Sequence, residues 1–209
     1  MTGWSRHTGV AIALDRENVD TDQLIPARFM STPRAQGYGS FLLHDMRTEA
    51  DGTPNPYFPL NVAPQASILI SRRNFGSGSS REAAVYALVD AGFRIVIAPS
   101  FGDIFASNAV NNGLLPAKVT EDAVEGYIRH LAGRAGPAQV DLVAGSGHVA
   151  GRPLQFELDA GWRQKLINGW DDTDLTRQHA DAIAAFRAAR ATSQPWSFPA
   201  ADAAAGGNT

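Results

Sequence analysis

The segment "NFGSGSSRE" (residues 74–82) places two glycines and three serines directly before an arginine and a glutamate. It follows an apolar run and precedes a helical pattern, so backbone N–H groups and the helix dipole favour an anion there. Gly76 and Gly78 would let the backbone approach that anion closely. Arg81 carries a planar guanidinium that suits a carboxylate or a phosphate.

Other roles for this segment stay open at this point. Ser79 and Glu82 fit an S-x-x-E capping box, which would be a purely structural role, although that box requires neither glycine nor Arg81. A nucleotide is disfavoured, because the Walker A motif needs a lysine that the segment lacks. Arg81 also stands where the dinucleotide fingerprint has its third glycine. A small carboxylate or phosphate ester fits better than a nucleotide.

A second polar segment, "NVDTDQLIP" (residues 18–26), carries Asp20 and Asp22 on either side of Thr21. Such a segment is most often a solvated turn with Asx-type hydrogen bonds. Metal binding by the two carboxylates is discounted, because no third ligand lies at a useful spacing. A Ser–His–Asp triad is not indicated either, since no histidine is identifiable as its base.

The elements around these segments are predicted as strands alternating with helices. The alternation of residues 8–14 predicts a first strand, and apolar runs predict strands at 66–71, 93–99 and 114–119. Helical spacing predicts helices at 81–91 and 101–112. This order implies parallel strands. Residues 27–64 are predicted to be mostly loop, with a short helix around 40–48. Beyond Thr120, which is expected to cap a helix, we predict a two-stranded β-hairpin and two further helices.

Composition sets limits on the function. The 209 residues, 44% of them apolar, suit one domain, predicted over 1–190, with a flexible tail over 191–209. The net charge of -3 argues against nucleic-acid binding. The chain has no cysteine, which excludes disulfides and a self-held iron–sulfur cluster. No signal peptide and no apolar run of about 18 residues is evident, so we expect a cytoplasmic protein without a membrane span.

Five segments together resemble a known family. The chain is similar to the small subunit of 3-isopropylmalate dehydratase, which in turn resembles the swivel domain of aconitases. The resemblance covers about His7 to Phe186, and its segments are "HTG", "NVDTDQLIP", "NFGSGSSRE", "APSFGDIFASNAVNNGLLP" and "QHADAIAAF". It implies an α/β fold, namely the swivelling β/β/α domain found at the aconitase C-terminus.

The resemblance also implies an activity. The family member would be the small subunit of a hydro-lyase in leucine biosynthesis, a branched-chain amino-acid pathway. It would isomerise 2-isopropylmalate, a small dicarboxylic acid, to 3-isopropylmalate by dehydration and rehydration. A separate large subunit would complete the heterodimer and hold a [4Fe–4S] cluster whose open iron acts as a Lewis acid on the leaving hydroxyl. This chain would hold no cofactor or metal and would be active only with its partner.

Site residues carry over from the resemblance one at a time. Ser79 would be the base that takes a proton from the carbon next to a carboxylate. Ser80 would hydrogen-bond a substrate carboxylate, and Arg81 would clamp one. Asp22 matches an aspartate that pairs with a large-subunit histidine, and Arg34 lies where aconitase has another carboxylate-binding arginine. The loop 27–39 is expected to help sort substrates by their side group.

Two departures from the family pattern point to alternatives. Many relatives have Cys where this chain has Ser77 and His where it has Ala83, which suggests a divergent paralogue or, for the serine, simple drift. A related diacid hydratase, of homoaconitate or citraconate type, would keep the same chemistry. A non-catalytic regulatory or nucleic-acid-binding module is the third hypothesis, and the joint presence of the serines, Arg81 and Asp22 argues against it.

Overall fold

One seven-stranded sheet organises the first of two compact units. The computed structural model describes residues 2–198, and their contacts separate Met1–Asp171 from Asp172–Thr209. The strands, in the sheet order β4-β3-β2-β1-β5-β6-β7, are β1 (Arg6–Leu14), β2 (Ile68–Ser71), β3 (Ile95–Ala98), β4 (Leu115–Lys118), β5 (Gly136–Asp141), β6 (Ser146–Val149) and β7 (Arg152–Gln155). Strands β1 to β4 pair in parallel, and β5 to β7 extend the sheet from β1 in antiparallel pairing.

The helices follow the predicted alternation. Those of the first unit are α1 (Thr21–Leu24), α2 (His44–Arg47), α3 (Pro59–Val62), α4 (Glu82–Asp90), α5 (Asp103–Asn111), α6 (Glu121–Leu131) and α7 (Ala160–Asn168). The long segment between β1 and β2 is otherwise irregular, with 3-10 turns at Ala27–Ser31, Arg34–Gln36 and Gly39–Phe41. The α/β class and the parallel strand order are therefore confirmed.

Both faces of the parallel strands are buried. Alternate residues of β1 point to opposite faces, so Ile12 and Leu14 pack in one core while Ala11 and Ala13 pack in the other. Helix α4 covers the first face, and α6 covers the second. Burial on both sides explains why β2 and β3 are continuous apolar runs in the sequence and not alternating patterns.

Two local predictions have different outcomes. Thr120 caps α6 as expected, since its hydroxyl accepts a hydrogen bond from the Ala123 amide at 3.2 Å. The prediction of a two-stranded hairpin is wrong, because Ser146–Val149 forms a third antiparallel strand between the two predicted strands. The physical reason is Gly147, where an added Cβ would lie 2.1 Å from the Gln139 carbonyl oxygen. A glycine that permits such close strand pairing resembles a turn residue in the sequence.

The second unit consists of α8 (Asp172–Arg177), α9 (Ala180–Ser193) and a 3-10 turn at Pro195–Ser197. The domain prediction of 1–190 with a tail at 191–209 stays a prediction, and residues 199–209 of that tail lie outside the described residues. Across residues 2–198, none of the helices has the length and apolar character needed to cross a bilayer.

Candidate active site

Three loops meet at the carboxyl ends of β1, β2 and β3. They are tied by backbone hydrogen bonds: the Gly76 amide donates to the Val19 carbonyl at 2.7 Å, and the Phe75 amide donates to the Ser100 carbonyl at 3.1 Å. The Gly102 amide donates back to the Phe75 carbonyl at 2.9 Å. Ligands of open α/β sheets bind at this edge, near the point where the strand order reverses. Here β1 is that point, because the chain adds β2 on one side of it and β5 on the other.

Gly76 makes room for an aromatic cluster. Its φ is +72°, and an added Cβ would lie 2.2 Å from the Cγ atom of Phe105. Phe105 is buried, and its ring lies edge-on to Phe75 at 5.4 Å and stacks with Phe101 at 6.4 Å between centroids. Glycine is therefore required at position 76 because the Phe105 ring packs beneath the loop. The prediction gave another reason, the close approach of an anion.

The first of the three loops, which follows β1, contains the N-terminal cap of α1. The Gln23 amide donates to the Asp20 carboxylate at 2.7 Å, and the Asp20 amide donates to the Gln23 side-chain oxygen at 3.1 Å. These reciprocal bonds form a capping box at the start of α1. Asp20 thus has a structural role that the interpretation as a solvated turn missed.

The capping box predicted from Ser79 and Glu82 is wrong. Arg81 occupies the N-cap position of α4, and no side chain caps that helix. The Arg81 amide donates to the Ser79 carbonyl at 2.8 Å, so the chain turns here and the helix begins only at Glu82. A box with Ser79 as its cap would require the helix to begin one residue after that serine. The two serines are consequently left exposed in front of the helix.

Four of the predicted site residues come together at this loop. Ser79, Ser80 and Arg81 are consecutive, and the Arg81 guanidinium donates a hydrogen bond to the carboxylate of Asp22 from the first loop. The Arg81 side chain is 22% exposed and that of Asp22 is 56% exposed. A surface ion pair of this kind contributes little stability and opens readily. The guanidinium is therefore positioned to exchange Asp22 for another carboxylate.

Arg34 lies elsewhere. Its guanidinium forms a bidentate ion pair with Asp90, with N–O distances of 2.6 and 2.8 Å, and lies 4.4 Å from the ring centroid of Tyr86. Asp90 is the last residue of α4, whereas Arg81 precedes its first residue. At 1.5 Å per residue, the nine residues from Arg81 to Asp90, the partner of Arg34, span about 13.5 Å along the helix. The structure does not bring Arg34 to the serines, and its role as a substrate ligand stays a prediction.

The loop 27–39, which is expected to sort substrates, is held by contacts with the segment that follows it. The rings of Phe29 and Phe41 stack at 4.3 Å between centroids. Arg28 pairs with Asp45, and the hydrogen bond from this guanidinium lowers the pKa of the Asp45 carboxyl to about 2. These contacts hold the 3-10 turn Ala27–Ser31 against the segment that leads into α2.

In the part of the chain from 2 to 198, no group of three or more His, Cys, Asp or Glu side chains is arranged to hold a metal ion.

The two arginines that follow β2 already have carboxylate partners. Arg72 pairs with Asp15 and Glu125, and Arg73 pairs with Glu17. The charge at this sheet edge is thus largely balanced within the chain.

Known families and proteins match over most of the chain. The model for the aconitase C-terminal domain matches residues 1–122, and the model for the C-terminal domain of the 3-isopropylmalate dehydratase small subunit matches residues 172–200. The 3-isopropylmalate dehydratase small subunit of Shouchella clausii (strain KSM-K16) is 46% identical over 182 residues, which are 86% of this chain and 92% of that protein. That of Halalkalibacterium halodurans is 44% identical over 187 residues, which are 88% and 96% of the two chains.

A solved structure shares the fold. A crystal structure of 3-isopropylmalate dehydratase from Methanocaldococcus jannaschii matches with a TM-score of 0.64 and 24% identity. The match covers 86% of this chain and 98% of the other. At that identity the likeness supports the fold alone.

Proposed function

This chain belongs to the family of 3-isopropylmalate dehydratase small subunits, and we propose that it isomerises 2-isopropylmalate to 3-isopropylmalate for leucine biosynthesis as one half of a two-subunit hydro-lyase. The observation that carries this proposal is the identity of 46% and 44% to two such small subunits over more than four-fifths of the chain. The homoaconitate, citraconate and non-catalytic alternatives have no comparable support.

The chain requires a partner for this chemistry. It has no cysteine, so its residues cannot provide the thiolates of an iron–sulfur cluster. We therefore assign the [4Fe–4S] cluster to the large subunit, where it would supply a Lewis acid for the leaving hydroxyl. The absence of cysteine also suits a reducing cytoplasm, which is part of the same proposal.

Ser79 is proposed as the base that removes the proton from the carbon next to a substrate carboxylate. A serine hydroxyl is a poor base in water, and Ser79 is exposed in the isolated chain. Its alkoxide would be stabilised by the N-terminus of α4, by the charge of Arg81 and by exclusion of water when the loop is covered by the large subunit. The isolated chain should accordingly be inactive.

The neighbouring residues are proposed to hold the substrate. Ser80 would donate a hydrogen bond to a carboxylate, and Arg81 would bind a carboxylate through its planar fork. Because Asp22 already pairs with Arg81, a substrate carboxylate would have to displace it. Asp22 would then be released to meet a histidine of the large subunit. Arg34 could join this set only if its ion pair with Asp90 opened.

The test is a coupled activity assay. The chain is co-expressed with its large subunit, the cluster is reconstituted without oxygen, and formation of the alkene diacid from 2-isopropylmalate is followed by absorbance. Ser79→Ala is expected to lower kcat by about 100-fold or more, because a positioned base contributes 10² to 10⁴. Ser77→Ala is the matched control, since that serine lies in the same loop, carries no proposed role and holds Thr21 through its backbone carbonyl.

The outcomes separate the parts of the proposal. Turnover that survives Ser79→Ala would move the base to another residue. Turnover of a homoaconitate- or citraconate-type diacid in place of 2-isopropylmalate would keep the mechanism and change the pathway. A complex with an intact cluster that turns over no diacid would refute the enzymatic function and favour the non-catalytic module.

A further inference from the structure

The loop that carries Ser79 is held from beneath by one buried side chain. Within residues 2–198, the buried polar or charged side chains are Thr21, Ser71 and Lys165. Thr21 is 1% exposed, although it lies in a polar segment between two aspartates. A buried hydroxyl requires a hydrogen-bond partner, so its contacts indicate what it does.

Thr21 contacts both ends of the turn Ser77–Ser79. Its amide donates to the Ser77 carbonyl at 2.9 Å, and its hydroxyl donates to the Ser79 carbonyl at 3.1 Å. Between those two carbonyls lies Gly78, with φ at +95°, and a Cβ added there would lie 3.5 Å from the Thr21 hydroxyl oxygen. The turn is therefore fixed at its two ends by one residue of the neighbouring loop.

The carbonyl of Ser79 receives two donors. One is the Thr21 hydroxyl, and the other is the Arg81 amide at 2.8 Å. Two donors from different directions fix the plane of the peptide group that follows Ser79. The orientation of that plane, together with the hydrogen bond from the Thr21 amide to the Ser77 carbonyl, determines the direction in which the Ser79 side chain leaves the backbone. Without the Thr21 hydroxyl, one of the two donors is lost, and the loop gains rotational freedom.

We propose that Thr21 is a positioning residue for the reaction, which aims the Ser79 hydroxyl through the hydrogen bond from its own side chain to the Ser79 carbonyl. This inference rests on the proposed function, because it matters only if Ser79 is the base. Thr21 itself touches no reacting atom. Its contribution is to keep the base within the narrow range of positions from which proton transfer occurs.

The test compares Thr21→Val, which keeps the shape and removes the hydroxyl, with Thr21→Ser, which keeps the hydroxyl. In the assembled two-subunit enzyme, Thr21→Val should lower kcat about 10-fold or more, since small misplacements of a catalytic group carry large rate penalties. KM should change by less than about threefold, because the Thr21 hydroxyl bonds the Ser79 carbonyl and not the Arg81 guanidinium that would bind the substrate carboxylate. Thr21→Ser should restore kcat to within about threefold of the wild type.

Ser71→Ala provides a matched control for loss of stability. Ser71 is also fully buried, and its hydroxyl donates to the Arg16 carbonyl at 2.9 Å, so it ties down a loop that does not carry Ser79. Removing either hydroxyl leaves one backbone carbonyl with a single donor, which is the Arg72 amide for Arg16 and the Arg81 amide for Ser79. Ser71→Ala should therefore lower stability as Thr21→Val does while leaving kcat near the wild-type value.

Amide hydrogen exchange in the full-length small subunit gives a readout besides activity. The Arg81 amide, which shares the Ser79 carbonyl with Thr21, should exchange faster in Thr21→Val and at the wild-type rate in Thr21→Ser. The Gly76 amide, bonded to Val19, should be unchanged in both variants.

Each outcome has one meaning. An active wild-type enzyme with full kcat in Thr21→Val, or with equal kcat losses in Thr21→Val and Ser71→Ala, overturns the positioning role alone. Unchanged exchange of the Arg81 amide in Thr21→Val also overturns it. An inactive wild-type complex with an intact cluster refutes the proposed function, and the positioning role is lost with it. The predicted kcat loss, its rescue by serine and the local rise in exchange together establish the inference.

Discussion

Replacing Gly76 by alanine should destabilise the protein by two separable effects. The residue has a positive φ of +72°, which alanine rarely adopts, and its position is closed on one side by the Phe105 ring. The added Cβ would lie 2.2 Å from Cγ and 2.6 Å from both Cδ atoms of that ring. Ordinary contacts between carbon atoms are about 3.5–4.0 Å, so either the ring or the loop must move by more than about 1 Å.

The magnitude follows from adding the two effects. The left-handed backbone conformation costs alanine ~1–2 kcal/mol. Overpacking against a buried ring costs a further ~1–3 kcal/mol, because Phe105 is itself enclosed by Phe75 and Phe101. Gly76→Ala should thus lower the free energy of unfolding by ~2–5 kcal/mol, a large share of the ~5–15 kcal/mol typical of a domain.

Urea unfolding, followed by circular dichroism, measures this loss, and Gly133→Ala is the matched control. Gly133 has a φ of +74°, and an added Cβ there would meet nothing within 4 Å. The backbone cost is shared between the two variants, so the difference between them isolates the contact with Phe105. Combining Gly76→Ala with Phe105→Leu should give a smaller loss than the sum of the single losses, because the smaller side chain relieves the contact.

Two results would refute this reasoning. Equal destabilisation by Gly76→Ala and Gly133→Ala would mean that the ring adds no penalty and that the loop is free to shift. Strict additivity of Gly76→Ala and Phe105→Leu would mean that the two residues do not press on each other. In either case, the aromatic cluster would not be what determines the position of the loop.

Three further predictions concern stability and binding. Burial lowers the pKa of His7 from 6.5, with a smaller contribution from the charge of Arg94, so the unfolded chain binds a proton more readily than the folded one. The contribution of His7 to stability is therefore full above pH 6.5 and is lost as the pH falls through the lower folded-state pKa. Urea unfolding at pH 7.5 and 5.0 should accordingly show a smaller loss of stability at the lower pH in His7→Gln than in the wild type. Asp20→Ala should lower the unfolding free energy by ~1 kcal/mol, and Asp20→Asn by less, because asparagine still accepts the amide hydrogen bond of the cap. Arg34→Ala should lower the unfolding free energy by less than ~1 kcal/mol, and Asp90→Ala should lower it by more, because the Asp90 carboxylate also accepts the Tyr38 amide. The two losses should be non-additive, and Arg34→Ala alone should raise KM if Arg34 binds substrate.

Each of these predictions has a contradicting result. An unchanged pH dependence in His7→Gln would mean that another group causes the acid loss. Equal losses in Asp20→Ala and Asp20→Asn would show that the side-chain cap contributes nothing. A KM that is unaltered in the assembled enzyme with Arg34→Ala would reject the carboxylate-binding role and leave Arg34 as an anchor of the long loop.

The central elements could be predicted because their signals are local. The runs at 66–71 and 93–99 contain β2 and β3, and the predicted helix at 81–91 contains α4. Short apolar runs bounded by glycine, serine or proline predict buried parallel strands without knowledge of the tertiary structure. The third antiparallel strand was missed because Gly147 serves a close approach between strands, which depends on the partner strand and not on local sequence.

The site was only partly predictable for a related reason. Resemblance predicted a site at Asp22, Ser79, Ser80 and Arg81, and the structure places Asp22 against Arg81, which directly follows the two serines. The chemical roles of these four residues stay predictions. The capping box that the local S-x-x-E pattern suggested does not form, because Ser79 lies in a turn that contacts from another loop hold in place. The pairing of Arg34 with Asp90 joins residues 56 positions apart and has no sequence signal.

The backbone bonds that join the three loops have a consequence for divergence within the family. The bonds of Gly76 to Val19, of Phe75 to Ser100 and of Thr21 to Ser77 use main-chain atoms alone, which every residue except proline can supply. A change of side chain at Ser77 leaves those bonds intact. Position 77 can therefore change its side chain without altering the backbone bonds that join the loops, and a library randomised at this position should retain folded members at high frequency.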